Sequence, residues 1–311
     1  MAKNDGPLTP RGVQNSIKNR AQAAAAKTPG ATSSELQDLY FHRRLLARVF
    51  HADPNSWVLK GGQALLVRWP AARYSTDVDL LSDQDDTDSA VAALLEAAAV
   101  QLDDQLQFTH RKTTEQTHIE RPTRSVYFSV RTGTLTLRPS MKVDVVVSGH
   151  APRGRVVTEP LDPPIHGACE IWPDVRMFPL EDHVAEKICA MYERHRKAGN
   201  TSTRYKDLAD LAVIAQRTSF DGALLHAVLL EEVTRRRERG MVVELPARGF
   251  AVPTSDWRSG YETIAKKVRE LPTELHSFGG VRALMDAFLA PLLRGEPPAG
   301  RWNPSSREWE R

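Results

Sequence analysis

Residues 72–81 read ARYSTDVDLL, and two aspartates, Asp77 and Asp79, stand two positions apart in a run that otherwise reads as a buried strand. Side chains alternate faces along a strand. Arg73, Ser75, Asp77 and Asp79 would therefore share one face, with Tyr74, Thr76, Val78 and Leu80 on the other. Two carboxylates on neighbouring same-face positions repel unless a positive charge lies between them. A divalent metal ion supplies such a charge, and oxygen ligands of this kind suit Mg²⁺. An isolated pair has a simpler explanation, a solvated strand edge with Asp79 facing an arginine.

The pair is not isolated. Upstream, Gly61 and Gly62 separate the strand-like run WVLK from an apolar, helix-like run. Glycines at such a turn let the backbone approach a ligand and leave helix N–H groups free for phosphate oxygens. Alone, a Gly-Gly pair is only a tight turn; beside an Asp-x-Asp strand it supplies the phosphate half of a nucleotide site. The run MKVDVVV then places a third carboxylate, Asp144, among Val143, Val145 and Val146. A charged side chain in such a run needs a partner. That partner is an arginine if Asp144 is structural and a metal ion if it is functional.

The remaining sequence sets the frame. At 311 residues, with 41% hydrophobic and 26% charged residues, the chain has room for two domains or one large one and an ordinary globular composition. A net charge of +3 excludes nothing by itself. Two cysteines, Cys169 and Cys189, outside any C-x-x-C pair, exclude a disulfide framework and a classical zinc site. No apolar run approaches the roughly 18 residues that span a bilayer, and no apolar signal core follows the first charges. The expectation is a cytoplasmic protein with no membrane partner.

Along the chain, Thr9 before Pro10 opens one helix, and Ser33 or Ser34 caps a second with Leu36, Leu39, Tyr40, Leu46 and Phe50 at helical spacing. A helix over DSAVAALLEAAAVQLDD starts near Asp88 or Ser89. QFTHRKTTE, RSVYFSVRT and LRPSMKVDVVV alternate and are rich in β-branched or aromatic residues, which predicts an antiparallel or mixed sheet. Residues 148–179 are rich in Pro and Gly and read as a boundary. Beyond them the pattern is helical, with Val184, Ile188 and Met191 on one face. The expected organisation is an α/β unit over residues 1–150, a mixed sheet with flanking helices, and a mainly α-helical domain over 151–311.

LKGGQALL, RYSTDVDLL and a later strand aspartate, taken together, resemble the polymerase-β-like nucleotidyltransferase superfamily. More particularly, Arg73, Ser75, Asp77 and Asp79 reproduce the Arg-x-Ser-x-Asp-h-Asp run of the AbiEii/AbiGii-type nucleotidyltransferase toxins, the group that includes the Men toxins. Lys187, followed by Arg204, Lys206, Asp207 and Asp210 in RYKDLADL, is similar to that group's C-terminal signature. The resemblance covers about Ser16 to Gln216. It departs at Gln63, where many relatives carry a small hydroxyl residue, a change that bears on phosphate contacts.

The resemblance implies a fold, a reaction and roles. Asp77, Asp79 and Asp144 would hold Mg²⁺ in a two-metal site, with Mn²⁺ as a substitute, and Asp144 would help to activate the attacking hydroxyl. Lys60, Gly61, Gly62, Arg73, Ser75, Lys187, Arg204 and Lys206 would contact the nucleotide. Asp207, preferred over Asp210 for its closeness to the basic pair, would orient Lys187 or an arginine. The domain over 151–311 would complete the active site. The substrate would be an NTP, CTP or UTP, the acceptor the 3′ end of tRNA, the outcome blocked translation, and the protein partner an antitoxin. In relatives the serine equivalent to Ser75 can be the point of neutralisation by phosphorylation. Transfer to a protein side chain, or a nucleotide-sensing module without catalysis, are the alternative readings.

Other features carry less. The basic runs at 193–197, 234–239 and 265–270 are solvated helix faces or, together, a track for RNA phosphates. His195, His226 and His276 lack metal-ligand spacing, and Cys189 reads as packing. Trp302 and Trp309 in the tail are candidates for docking on the body.

Overall fold

The computed structural model describes residues 9–116, 122–167, 170–194 and 203–311; His195, Cys169 and most of the 193–197 basic run lie outside them. The chain divides into two compact units that are not continuous in sequence. The first comprises residues 1–67, 74–150 and 158–177, and the second residues 68–73, 151–157 and 178–311.

The first unit opens with α1 (Pro10–Lys27), whose N-cap Thr9 accepts a hydrogen bond from the Gly12 N–H. In α2 (Ser33–Ala52) the cap is Thr32 rather than Ser33 or Ser34. Its hydroxyl takes the Glu35 N–H while the Glu35 carboxylate takes the Thr32 N–H, a reciprocal box that either serine would lose. There follow β1 (Trp57–Lys60), α3 (Gly61–Arg68), β2 (Val78–Ser82) and α4 (Thr87–Ala99). The α4 cap is Asp86, not Asp88 or Ser89, because its carboxylate reaches both of their N–H groups. Strands β3 (Gln107–Glu115), β4 (Thr123–Thr132), β5 (Leu135–Val147), β6 (Val157–Pro160) and β7 (Asp174–Met177) complete a seven-stranded sheet in the order β3-β4-β5-β2-β1-β7-β6. β2 runs parallel to β5, and β1 parallel to β7, while β1–β2, β3–β4 and β4–β5 are antiparallel. The sheet is thus mixed. Two of its strands come from the Pro/Gly-rich stretch 148–179.

Helix α2 brings a row of cations into this unit's interior. Arg44 and Arg48 are completely buried, and both end on Asp104: Arg44 Nε at 2.5 Å, Arg48 Nη2 at 2.7 Å and Arg48 Nη1 at 2.9 Å. Burial alone would raise the Asp104 carboxyl; the two guanidinium groups outweigh it and hold the carboxyl below its usual range.

The second unit contains α5 (Leu180–Tyr192), the short β8 (Glu193–Arg194), α6 (Tyr205–Arg217), α7 (Gly222–Glu238), β9 (Val242–Val243), α8 (Trp257–Ala265), α9 (Phe278–Leu292) and a terminal hairpin, β10 (Arg301–Asn303) with β11 (Glu308–Glu310). Val184, Ile188, Cys189 and Met191 are fully buried, as helical spacing predicts. His226 Nε2 meets the Arg294 carbonyl and His276 Nε2 the Leu271 carbonyl, which are structural roles. The tail docks: Trp302 is fully buried and donates from Nε1 to the Ala215 carbonyl at 2.6 Å, and Trp309 stacks on Phe288. Among the described residues no helix is long and apolar enough to cross a membrane.

Removing Asp104 leaves two arginines buried without their shared counter-charge, which costs about 3–5 kcal/mol. Asp104→Ala should accordingly lower the urea midpoint of unfolding by that equivalent. An unchanged midpoint would mean that the cluster carries no stability.

Candidate active site

In the first unit the strand register builds one row of polar side chains across the sheet. Lys60 pairs with Asp79, Asp79 with Asp144, and Asp144 with Ser125, over β1, β2, β5 and β4. Directly opposed residues on neighbouring strands share a face. Gly61 follows Lys60 with φ +65°, and a Cβ there would fall on the Asp79 carboxylate. The glycine is therefore required twice, for its left-handed backbone and for the space that Asp79 fills. Burial, then Asp144, pushes the Asp79 carboxyl up to about 6, with Asp77 adding to the rise and Lys60 and Lys142 opposing it.

One expectation is corrected here. Residues 73–77 are not strand: β2 begins at Val78, so the alternation that placed Arg73, Ser75 and Asp77 on the Asp79 face does not apply. The segment is tied from its sides instead. The Tyr74 hydroxyl donates to Asp38, and the Gln63 amide donates to the Ser75 carbonyl at 2.8 Å. Gln63 is itself fully buried and also donates to His42 Nδ1 at 3.0 Å. At the position where relatives were expected to carry a small hydroxyl, this chain has a buried brace for the Ser75 backbone.

Asp144 is held by three groups. Lys142 Nζ sits 2.8 Å from Oδ2, while Ser125 Oγ donates to Oδ1 at 2.5 Å and Gln116 Nε2 at 2.8 Å. Gln116 also donates to the Ser125 hydroxyl. Its cationic partner is a lysine, where the sequence pointed to an arginine or a metal. Among the described residues no group of three or more His, Cys, Asp or Glu side chains is arranged to hold a metal ion as it stands. The donor set nevertheless has the right chemistry. Hard carboxylate oxygens concentrate their charge around Asp79, a lysine ammonium already sits on Asp144, and Gly61 leaves the room that the Asp79 carboxylate occupies.

The second unit carries the other predicted residues, in a line of alternating charge. Arg204 Nε donates to Asp207 Oδ2 at 2.6 Å, and Asp207 Oδ1 lies 3.0 Å from Lys187 Nζ. Lys187 Nζ lies 2.6 Å from Asp210 Oδ2, and Asp210 is gripped at both oxygens by Arg73, each contact 2.9 Å. Lys187, Asp207 and Asp210 are buried, Arg204 is exposed, and Lys206 points into solvent. Burial would lower Lys187, but Asp210 and Asp207 overcome it and raise its pKa. Asp207 is held low by Lys187 and then Arg204, against the effect of burial. Asp207 thus contacts both a lysine and an arginine. Asp210, set aside on sequence spacing, likewise contacts two cations, Lys187 and Arg73.

The model of the family "Nucleotidyl transferase AbiEii toxin, Type IV TA system" matches residues 44–309. The chain belongs to the AbiEii toxins. It is a nucleotidyltransferase, the toxin of a type IV toxin–antitoxin system, and the family brings with it an NTP substrate, a divalent metal ion and an antitoxin partner. Among solved structures, MenT4, a nucleotidyltransferase toxin from Mycobacterium tuberculosis H37Rv, is similar in fold, with a TM-score of 0.52 at 16% identity over 83% of this chain and 91% of that one. JHP933 from Helicobacter pylori is similar at a TM-score of 0.40 and 14% identity, over 75% and 94% of the two chains, too low to bear on the fold. No curated protein matches the sequence at a significant level.

Three residues of this AbiEii enzyme escaped the sequence reading: Lys142, Ser125 and Gln116. Only Lys142 left a trace, two positions before Asp144 on the same strand face; the others reach Asp144 from β4 and from the residue just beyond β3.

Two tests address this geometry. Gly61→Ala should displace the Asp79 carboxylate and cut nucleotidyl transfer at least about 100-fold, while Gly149→Ala, with open space at its Cβ, should be silent in a turnover assay. The second concerns His42, whose pKa burial pushes down to about 4. The unfolded chain takes up this proton near pH 6.5 and the folded chain refuses it, so stability present above that pH falls as pH drops, by about 2 kcal/mol at pH 5. Asp79, raised in the fold, acts in the opposite sense. The measurement is therefore the pH dependence of the urea midpoint of wild type minus that of His42→Gln, which should be lost in proportion.

Proposed function

We propose that this enzyme transfers CMP or UMP, from CTP or UTP, to the 3′ acceptor end of tRNA in a Mg²⁺-dependent reaction, releasing pyrophosphate and blocking translation in the cytoplasm. The observation that supports this reading best is the row Lys60–Asp79–Asp144 beside the Gly61 turn. It combines a carboxylate set with a glycine cradle, the two halves a nucleoside triphosphate and its cation need.

On this reading Asp77, Asp79 and Asp144 hold the cation, with Mn²⁺ as a substitute; when bound, it neutralises charge at the reacting phosphate and activates the attacking hydroxyl. Gly61 and Gly62 leave N–H groups for phosphate oxygens, Lys60 adds charge, and Ser75 borders the triphosphate. Asp144 assists in taking the proton of the acceptor hydroxyl. On the family resemblance, Lys187, Arg73, Arg204 and Lys206 would offset the charge of the leaving pyrophosphate, as preorganised cations do. Asp207 and Asp210 hold Lys187 in place. Acceptor and base preference rest on the family resemblance. Exposed Lys266, Lys267 and Arg269 are compatible with a polyanionic acceptor.

The test is a labelling assay with total tRNA, Mg²⁺ and each of the four α-labelled nucleotides, beside Asp77→Ala. Label should enter RNA from CTP or UTP and fall on the order of 10³-fold in the variant. Label in protein instead would identify a side-chain acceptor; nucleotide bound without pyrophosphate release would identify a sensing module. Wild-type turnover by Asp77→Ala would remove Asp77 from the metal set.

A further inference from the structure

Both oxygens of the Asp144 carboxylate are engaged. Ser125 and Gln116 donate to Oδ1, and the only cation on Oδ2 among the described residues is Lys142, at 2.8 Å. Lys142 lies two residues before Asp144 on β5, so strand alternation puts both side chains on one face of the sheet. It pairs in register with Tyr127 of β4, one same-face position along from the row that contains Lys60, Asp79 and Asp144, and its charge acts on Asp79 as well as on Asp144. Its side chain is about one-quarter exposed, so the contact can open without breaking the core. Ser125 and Gln116 are neutral and can go on fixing Oδ1 whatever happens at Oδ2.

We propose that Lys142 is a built-in counter-ion that occupies Asp144 Oδ2 and that a divalent cation must displace to bring Asp144 into the metal set. The inference rests on the reading of Asp144 as a metal-holding carboxylate. Asp77 and Asp144 both act on Asp79 electrostatically, and Lys142 answers the charge of Asp144. An internal ammonium satisfies the third carboxylate until a cation of higher charge replaces it, and the released ammonium then lies beside whatever that cation binds. Lys142 is a positioning residue in this scheme, with metal affinity as its direct readout.

The experiment is a double-mutant cycle on Mn²⁺ binding to the full chain, followed by calorimetry without nucleotide. Lys142→Met should tighten the Mn²⁺ Kd by at least about fivefold, and Lys142→Arg, which keeps a cation on Asp144, should not. Asp144→Asn should weaken binding. In the Asp144→Asn background, Lys142→Met should change the Kd less than about twofold, because the competition is local to that carboxylate. An equal tightening in both backgrounds would reduce Lys142 to a general field and overturn the proposal, as would an unchanged or weaker Kd in Lys142→Met alone. If Asp144→Asn and Asp79→Asn both leave Mn²⁺ binding intact, it is the metal reading of these carboxylates that fails.

A measurement on the unmodified protein stands beside the cycle should Lys142→Met not fold. Lysine acetylation by acetic anhydride, mapped by mass spectrometry, should rise severalfold at Lys142 when Mn²⁺ is added and stay constant at exposed Lys206. No rise at Lys142 under saturating Mn²⁺ would overturn the displacement.

Discussion

The contact between the backbone of Gly61 and the carboxylate of Asp79 constrains everything around it. β1 and β2 lie antiparallel, so the residue that ends β1 sits directly opposite Asp79, and the chain must turn away at the next position. Any side chain at that turn would occupy the volume of the carboxylate. With a glycine there, the chain leaves the strand at positive φ and enters α3 at once. The same turn delivers Gln63 to the interior, where its amide fixes the Ser75 backbone ahead of β2. One missing Cβ thus aligns a strand, a helix and a loop around a single carboxylate.

Charge in the two units is organised by the same rule with opposite sign. Around Asp79 three carboxylates, Asp77, Asp79 and Asp144, face two lysines, Lys60 and Lys142. In the second unit three cations, Arg204, Lys187 and Arg73, alternate with two carboxylates, Asp207 and Asp210. Each named set is unbalanced by one charge. Burial makes such an imbalance costly, and in the second unit alternation keeps the cost low by giving each buried charge an opposite neighbour within hydrogen-bond reach. What remains is one surplus negative charge in the first set and one surplus positive charge in the second.

Much of this was legible because it rests on local pattern. The strand WVLK, the glycine turn and the three later strands follow from alternation and turn chemistry, whereas the meeting of Lys187 with Asp207 was implied only by the family resemblance. The failures are equally physical. Arg73 to Asp77 mimic strand alternation, yet the segment is held by Asp38 and Gln63, partners that no window around residue 75 contains. The caps Thr32 and Asp86 lie one to three residues before the expected ones, because neighbouring serines and aspartates offer the same chemistry and only the backbone angle chooses between them. The shell of Asp144 depends on register between β3, β4 and β5, which composition does not encode. Strands β6 and β7 arise in a Pro/Gly-rich stretch whose composition argues for loop, and sheet pairing overrides it.

The terminal hairpin has a consequence for the order in which the protein is built. Trp302 fills the space beside Phe220 and Phe288, and Trp309 lies flat on Phe288, so the interior of the second unit is closed by a hairpin that follows all of its helices in the chain. Helices α5 to α9 all leave the ribosome with that aromatic surface still uncovered. Until residue 309 follows, the unit that carries Lys187, Asp207 and Asp210 lacks its final layer. Closure of this unit therefore follows a translation order: Lys187, Asp207 and Asp210 are made about a hundred residues before the hairpin that closes its interior.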